Sequence, residues 1–248
     1  MKISIVTPVY NAERTIARTI ESIRSQKDVE TEQIIVDGAS SDGTLNILKK
    51  YESGFSAFIS EADKGIYDAI NKGIQLATGD IIGILNADDY YASPDILAKV
   101  SSVFKNTPID AVFGDLEYFH EGNVNKVIRI YRSKHFKPYK LSRGLMPAHP
   151  SLFLRRGVYE KYGLFKRDYK IAGDFEFVAR IFKDEGLTYS YLPITMVRMQ
   201  LGGISTQGLS STILLNKEIL RACRENGIKT NYFRLLSRYP RKLMEFLL

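Results

Sequence analysis

Short apolar runs alternate with segments of helical periodicity along the first half of the chain. Four brief apolar runs predict strands at Lys2 to Thr7, Gln33 to Val36, Ala57 to Ser60 and Ile81 to Leu85. Apolar residues three or four positions apart predict three helices. The first contains Ile16, Ile20 and Ile23, and the second begins near Ser41 or Asp42 and contains Leu45 and Leu48. The third contains Ile66, Ile70, Ile74 and Ala77. This repetition predicts an α/β fold with a doubly wound, mostly parallel sheet and right-handed crossovers.

The fourth predicted strand stops in a cluster of amide and carboxylate side chains at residues 86–89. The carboxyl ends of parallel strands open onto the ligand crevice, so acidic groups there can hold a hard cation against a phosphate. In extended backbone Asn86 and Asp88 would point to one side, whereas Asp89 would face away or open the next loop. The alternative is that the two aspartates and Ser93 only end the strand and cap a helix that begins at Pro94.

The loops after the other strands also carry unusual residues. Pro8 fixes the backbone after the first strand, and Tyr10 presents an aromatic ring at the sheet edge. Asp37 ends the second strand and is expected to be free to accept a hydrogen bond from a ligand, whereas Asp42 fits a helix N-cap better. The chain has no Gly-x-Gly-x-x-Gly and no Walker lysine motif, which argues against a dinucleotide oxidoreductase or an ATPase.

Composition narrows the class of protein. The single cysteine, Cys223, excludes an internal disulfide, is expected to be inert packing and, with no secretory signal, favours the cytosol. No apolar run approaches the roughly 20 residues that span a bilayer. The net charge of +7 favours an anionic partner, such as a phosphate-bearing substrate, a nucleic acid or an acidic membrane surface, without choosing among them.

Four blocks of sequence, in this order, resemble the signature of the family 2 glycosyltransferases of the GT-A fold. They are residues 7–13, 35–44, 63–73 and 86–89, and the match resumes at 172–176. The resemblance implies a sheet that binds a nucleotide-diphosphosugar, an appended acceptor region and inverting transfer of a sugar. The block from Asp63 onward is similar to enzymes that assemble bacterial surface polysaccharide, such as an O-antigen or capsule repeat unit.

Carried over residue by residue, the resemblance implies a nucleoside pocket lined by Pro8 and Tyr10. Asp37 would accept a hydrogen bond from the base, usually uracil in this family, and Asp63 would close the pocket. The full set of nucleotide-sugar-binding residues that it implies is Pro8, Tyr10, Asn11, Asp37, Asp63, Asn71, Asn86, Ala87 and Asp88.

Asn86-Ala87-Asp88 occupies the family's Asp-x-Asp position, which makes Asp88 the principal ligand to Mg²⁺ or Mn²⁺. Asn86 is neutral where the first aspartate often stands, so we expect weaker metal affinity. Asp174 matches the family's catalytic base, although an aspartate at the start of a helical pattern is also a routine N-cap. Glu176 is the second candidate for the base.

The resemblance also suggests an acceptor and a division of the chain. We expect a glycosyltransferase domain at residues 1–208, with a nucleotide-sugar-binding half at 1–115 and an acceptor-binding half at 116–208, and a basic amphipathic extension at 209–248. Between Ser133 and Ser151 lie Lys134, His135, Lys137, Lys140, Arg143 and His149. These residues would suit a phosphate-bearing acceptor such as a polyprenyl-diphosphate-linked sugar, or they form a merely solvated basic loop.

His149 resembles a family position near the acceptor or the diphosphate, although a lone histidine beside a strand more often satisfies backbone groups. Residues 229–248 interleave basic and apolar side chains, as in a helix that lies in an anionic membrane interface, although Pro240 interrupts any long helix. This segment could also pack on the domain or on another subunit. We therefore expect a cytoplasmic protein that binds no nucleic acid and that is peripheral on the membrane if this segment binds lipid.

Processive synthases of this family carry transmembrane helices and a Gln-x-x-Arg-Trp motif. This chain has no tryptophan, which favours addition of one sugar per encounter. Two other functions stay open: a sensor that binds nucleotide sugars or carbohydrate without catalysis, which Asn86 would allow, and a sugar nucleotidyltransferase. The second would be expected to have a glycine-rich basic loop after the first strand, which residues 7–10 do not provide.

Overall fold

The computed structural model describes residues 1–120, 123–201 and 208–238, and nine strands in these ranges form one sheet. Their bounds are β1 (Lys2–Val9), β2 (Glu30–Asp37), β3 (Ala57–Ser60), β4 (Ile81–Ile84), β5 (Tyr90–Tyr91), β6 (Ala111–His120), β7 (Asn123–Tyr131), β8 (Phe153–Arg155) and β9 (Tyr189–Gln200). The four strands predicted from the apolar runs are confirmed as β1 to β4.

Eight α-helices lie in the described ranges. They are α1 (Ile16–Arg24), α2 (Thr44–Tyr51), α3 (Ile66–Leu76), α4 (Ile96–Asn106), α5 (Arg156–Tyr162), α6 (Gly173–Phe182), α7 (Gly208–Glu225) and α8 (Tyr232–Leu236). The three predicted helices are confirmed. The helix expected to begin at Pro94 begins two residues later, because Asp95 is its N-cap and Ser93 donates a 2.5 Å hydrogen bond to that carboxylate.

The sheet runs in the order β3-β2-β1-β4-β8-β6-β9-β5, with β7 paired to β6. The first four strands are parallel, which confirms the doubly wound half. Beyond β4 the sheet is mixed, since β8 is antiparallel to β4 and β6, whereas β6 and β9 are parallel. The sheet therefore consists of a parallel part, β1 to β4, and a mixed part that contains β6, β8 and β9.

The C-terminal helices belong to the same core as the rest of the domain. Ile219, Ala222 and Cys223 of α7, and Leu235 of α8, join the largest cluster of buried apolar side chains. Burial raises the pKa of the Cys223 thiol to about 11, so this thiol stays protonated near neutral pH, as expected for packing. The extension expected at 209–248 is thus anchored to the domain over its described part.

Helix α8 presents two different faces. Leu235 is fully buried, whereas Tyr232, Phe233 and Leu236 are 53%, 85% and 51% exposed. Residues 239–248, including Pro240, lie outside the described residues. No helix in the described ranges has the length and apolar content needed to cross a bilayer.

Glu32 is expected to contribute stability at the end of the sheet remote from the functional loops. Burial alone would raise its pKa, but hydrogen bonds from Lys2, Ser4 and Thr78 lower it from 4.5 to about 2. A depressed carboxyl pKa contributes stability that is present above the unfolded value and is lost as the pH falls to the folded value. Glu32→Gln should therefore cost about 3 kcal/mol near neutral pH and progressively less toward about pH 3, measured by urea unfolding. A pH-independent difference would contradict this assignment.

Candidate active site

A cavity of about 1060 Å³ lies where the loops after β1, β3 and β4 face α6, α7 and the segment 144–149. Nine of the expected binding and catalytic residues line it: Pro8, Tyr10, Asn11, Asp63, Asn86, Ala87, Asp88, His149 and Asp174. Asp88 and Asp174 are 86 positions apart in the chain, yet they share this one cavity. Asp37, Asn71 and Glu176 do not line it.

The loops after β1 and β2 are tied to each other by their own motif residues. Asn11 has a φ of 48°, which asparagine tolerates, and its Oδ1 accepts a 2.9 Å hydrogen bond from the Ser41 backbone N–H. Asp42 accepts from the Glu13 N–H at 3.2 Å and from the Thr44 N–H at 3.0 Å. The N-cap of α2 is Gly43 rather than Asp42, so that expectation was wrong, and the Asp42 carboxylate instead holds the loop just before the helix. Much of the motif therefore fixes loop geometry.

Asp37 is not free to accept a hydrogen bond from a ligand, and that expectation was wrong. Its side chain is fully buried and accepts hydrogen bonds from Ser40 Oγ at 2.5 Å and Ser60 Oγ at 2.7 Å. Ser40 Oγ in turn accepts the Asn11 N–H at 2.8 Å. The carboxylate therefore supports the loop behind the cavity, because the hydroxyl groups of Ser40 and Ser60 already donate hydrogen bonds to it.

Tyr10 and Asp63 meet at Gly38, as expected for two sides of one pocket. A Cβ at Gly38 would collide with the Asp63 carboxylate and touch the Tyr10 ring, so a larger residue there would displace Asp63 from its present position. Asp63 also accepts the Gly65 N–H at 2.8 Å, and Gly65 has a φ of 108° at the start of α3. This end of the cavity combines an aromatic face, two-thirds exposed, with a carboxylate.

Asn71 was expected among the nucleotide-sugar-binding residues, and the structure contradicts this. Its Nδ2 donates to the Phe165 carbonyl at 2.8 Å, and its Oδ1 accepts the Phe165 N–H at 2.9 Å. Both ends of the carboxamide are therefore used on one buried backbone unit. Asn71 joins α3 to the segment before α6 and has no group left for the donor.

Asn86 and Asp88 both face the cavity, but in a turn after β4 rather than in extended backbone. Asp89 points away, as expected, and is fully buried, where it accepts a 3.3 Å hydrogen bond from the Gln200 N–H. Burial raises the pKa of Asp88, and burial together with the charge of Asp88 raises the pKa of Asp89 well above its ordinary value. Arg18 holds the turn by donating to the Asp88 carbonyl at 3.2 Å.

The chemistry of this turn fits a divalent ion that arrives with a diphosphate. The described residues contain no group of three or more histidine, cysteine or acidic side chains that could hold a metal alone. Mg²⁺ is usually held by one or two carboxylates together with substrate phosphates. Asp88 supplies such a carboxylate, and the carboxamide of Asn86 lines the same cavity.

Asp174 lies in the first turn of α6, one residue after the helix start, and Ala172 rather than Asp174 is the N-cap. Its Oδ1 accepts the Phe175 N–H at 2.7 Å, and its Oδ2 lies 3.1 Å from His149 Nδ1. The carboxylate thus lies at the positive end of the α6 dipole. The cavity therefore contains a carboxylate and imidazole pair across from Asp88.

Glu176 was the second candidate for the base, and its surroundings exclude it. The side chain is fully buried and away from the cavity. Its carboxylate lies 3.2 Å from Lys166 Nζ and 3.0 Å from Arg180 Nη2, and it accepts from Asn226 Nδ2 at 3.3 Å. Glu176 faces the opposite side of α6 from Asp174 and links α6 to α7.

Of the basic residues between Ser133 and Ser151, His149 lines the cavity, and the five others lie outside it. The cations that do line it are Arg14, Lys170 and Arg238. Sequence reasoning also missed the far part of the apolar wall, which includes Leu116, Tyr118, Tyr131, Met146, Met199, Leu215 and Ile219. These residues come from β6, β7, β9, α7 and the segment before His149, and no local motif marks them.

Comparison with known proteins identifies the family. The model described as "Glycosyl transferase family 2" matches residues 4–163. A PGL/p-HBAD biosynthesis glycosyltransferase of Mycobacterium bovis is 30% identical over 228 residues, which cover 88% of this chain and 82% of that protein. The putative glycosyltransferase EpsE of Bacillus subtilis is 32% identical over 162 residues, which cover 64% of this chain and 58% of EpsE.

Solved structures share the fold. S. aureus TarS 1-349 gives a TM-score of 0.68 at 20% identity, and the match covers 90% of this chain and 65% of that one. A mannosyltransferase of Pyrobaculum calidifontis, in complex with GDP-Man and Mn²⁺, gives 0.66 at 19% identity, with 92% and 65% covered. This chain thus spans just under two thirds of each solved chain. It belongs to the family 2 glycosyltransferases, and it has their GT-A fold.

Proposed function

We propose that this glycosyltransferase inverts the anomeric centre as it moves one sugar from a UDP-sugar to a hydroxyl group of a glycan acceptor. The observation that carries the proposal is the single cavity that joins the Tyr10 and Asp63 pocket, Asp88 and the Asp174 and His149 pair. In this proposal residues 1–115 bind the donor, residues 116–208 bind the acceptor, and residues 209–248 extend the acceptor side.

The pocket of Tyr10, Gly38 and Asp63 suits a planar base, because an aromatic face lies beside a hydrogen-bond acceptor. TarS has been crystallised with UDP and with UDP-GlcNAc, which supports a uridine nucleotide as the first donor to test. Asp88 and Asn86 would hold a divalent ion against the diphosphate. The ion, when bound, stabilises negative charge on the leaving diphosphate.

The acceptor oxygen attacks the anomeric carbon from the face opposite the diphosphate. The bond from that carbon to the diphosphate oxygen breaks, and its electron pair leaves with the nucleotide. Asp174 takes the proton of the acceptor hydroxyl, and His149 holds the carboxylate from its other side. General-base catalysis of this kind contributes about 10² to 10⁴-fold.

The acceptor is a glycan on a lipid carrier, such as a polyprenyl diphosphate, in the assembly of a surface polysaccharide. The Mycobacterium bovis relative, named for PGL/p-HBAD biosynthesis, supports this class. The apolar wall of the cavity and its cations Arg14 and Lys170 suit an amphiphilic anionic acceptor.

Release of UDP or GDP from a panel of nucleotide sugars, with Mn²⁺ and a lipid-linked acceptor, tests the function. We expect one donor to support transfer and the same donor to raise the melting temperature, because it binds only the folded state. Binding without transfer or hydrolysis would identify a sensor. Formation of pyrophosphate would identify a nucleotidyltransferase.

Weaker metal affinity is tested by restoring the aspartate that the family pattern often carries. Asn86→Asp should tighten Mn²⁺ binding in the presence of UDP by about tenfold, because a second carboxylate joins Asp88. Without metal the variant should be less stable, since Asn86 Nδ2 no longer donates to Asp89, a 3.4 Å contact. Calorimetric titration measures the affinity, and Asn86→Ala is the control. Equal affinity of wild type and Asn86→Asp would place the ion elsewhere.

Membrane contact through α8 is the remaining part of the proposal. Phe233 and Tyr232 are exposed beside Arg234, which fits an anionic interface. Deletion of residues 229–248 would also remove Leu235, which packs in the core, so point variants test membrane contact without disturbing the fold. Phe233→Ser should weaken partitioning into anionic liposomes, measured by flotation, by about 30-fold, since burying such a ring contributes about 2 kcal/mol. Ile213→Ser, at a similarly exposed apolar residue of α7, is the control, and equal flotation of both variants would reject the membrane role.

A further inference from the structure

The backbone that leads into Asp174 is held by one carboxylate from α7. Glu218 is 7% exposed and accepts hydrogen bonds from three consecutive backbone N–H groups. The distances are 2.8 Å from Lys170, 2.9 Å from Ile171 and 2.8 Å from Ala172. Hydrogen bonds to an ionised acceptor are among the stronger ones, and the N-terminal end of α6 favours the negative charge.

A second side chain continues this support to the residue directly before Asp174. The Tyr67 hydroxyl accepts the Gly173 N–H at 2.8 Å and donates to the Ile171 carbonyl at 2.8 Å. Burial, with the charge of Asp174, raises the pKa of Tyr67, so the hydroxyl keeps the proton that it donates. Four successive N–H groups before Asp174 are thus fixed by side chains from α3 and α7.

The segment that carries His149 is also held from the C-terminal helices. Arg238 is 3% exposed, and its guanidinium donates to the Gly144 carbonyl at 3.0 Å and to Asn216 Oδ1 at 2.9 Å. Gly144 has a φ of 66°, and a Cβ there would collide with Arg238. Residues 144–149 line the cavity from this fixed point to His149.

We propose that Glu218 and Arg238 are positioning residues that set the geometry of the Asp174 and His149 pair, so that the C-terminal helices complete the active site. The inference rests on the proposed function. Both residues lie beyond the part of the chain that the family model matches, which ends at residue 163. They touch neither nucleotide nor metal ligands, so their effect should fall on the chemical step and spare the binding of the donor.

Glu218→Gln keeps the size of the side chain and one carbonyl acceptor but places an N–H₂ group against backbone donors. A displacement near 1 Å at a catalytic group can cost about 10²-fold, so we expect kcat to fall by about 10 to 10²-fold with the donor KM and UDP affinity nearly unchanged. Glu218→Ala should lower kcat further. Arg238→Lys should lower kcat less than Glu218→Ala, because the Lys ammonium can still reach the Gly144 carbonyl.

The matched control is Glu32→Gln. Glu32 is also buried, and it accepts backbone N–H groups of Thr78 and Gly79, but it lies at the opposite end of the sheet. Both variants should lose stability in thermal unfolding, whereas only Glu218→Gln should lose kcat per folded molecule. Equal kcat in the two variants would overturn the inference. Absence of transfer by the wild-type enzyme with every donor would instead contradict the proposed function.

Discussion

Replacing Asp174 by asparagine is expected to reduce sugar transfer by about 10² to 10⁴-fold, the range that a positioned general base contributes. The amide cannot take the proton of the acceptor hydroxyl, yet it keeps the size of the carboxylate and can still accept the Phe175 N–H. UDP affinity should change by less than about threefold, because the nucleoside pocket is formed by other loops. Transfer rates and calorimetric binding of UDP give the two measurements.

Asp184→Asn is the control for this substitution. Asp184 is a partly exposed carboxylate after α6 that pairs with Lys161 and Tyr162 outside the cavity. It should keep wild-type transfer. An Asp174→Asn enzyme that retains most of its turnover would move the base to another residue, with His149 the first to test, since its imidazole lies in the same cavity.

The donor half of the fold could be predicted from the sequence because its information is local. Each strand from β1 to β4 is a short apolar run, and each is followed by a helix or a polar loop within a few residues. Parallel pairing then brings the loops to one edge. Tyr10, Asp63 and Asp88 lie in the loops after these strands, and all three line the cavity.

The partners of individual polar side chains could not be predicted in the same way. Asp37 and Asp63 both stand at the carboxyl ends of strands. The Asp37 carboxylate accepts hydrogen bonds from Ser40 and Ser60, whereas the Asp63 carboxylate lies near Tyr10 at Gly38. Asn71 is used by the backbone of Phe165, 94 positions away. Whether a carboxylate or amide is available to a ligand depends on contacts that local sequence does not encode.

The acceptor half is built almost wholly from such distant contacts. Glu176 and Asp174 are two residues apart, yet they lie on different sides of α6 and have different partners. Glu218 and Arg238 support the site from a segment that reads, in sequence, as an amphipathic extension. A family signature concentrated in the first 90 residues therefore indicates the donor chemistry well and says little about how the acceptor side is held.

The second large effect is expected at Asp88. Asp88→Asn removes the carboxylate that would hold the ion against the diphosphate, so kcat/KM should fall by about 10³-fold, as when one charge-stabilising group is lost from a catalytic site. UDP affinity should also lose its dependence on Mn²⁺, which calorimetry with and without the ion measures. Asp95→Asn, at an exposed aspartate at the start of α4, should behave as wild type.

The melting temperature of Asp88→Asn shows whether a loss of activity comes from the missing metal ligand or from a damaged fold. Burial raises the pKa of Asp88, which means that the folded state holds its charge at a cost near neutral pH. Asp88→Asn should therefore melt no lower than wild type without metal, and it should lose the increase in melting temperature that Mn²⁺ and UDP together give the wild type. An enzyme that becomes inactive while its stability is kept has lost a functional charge. Mn²⁺-stimulated transfer that persists in Asp88→Asn would show that other groups stabilise the leaving diphosphate.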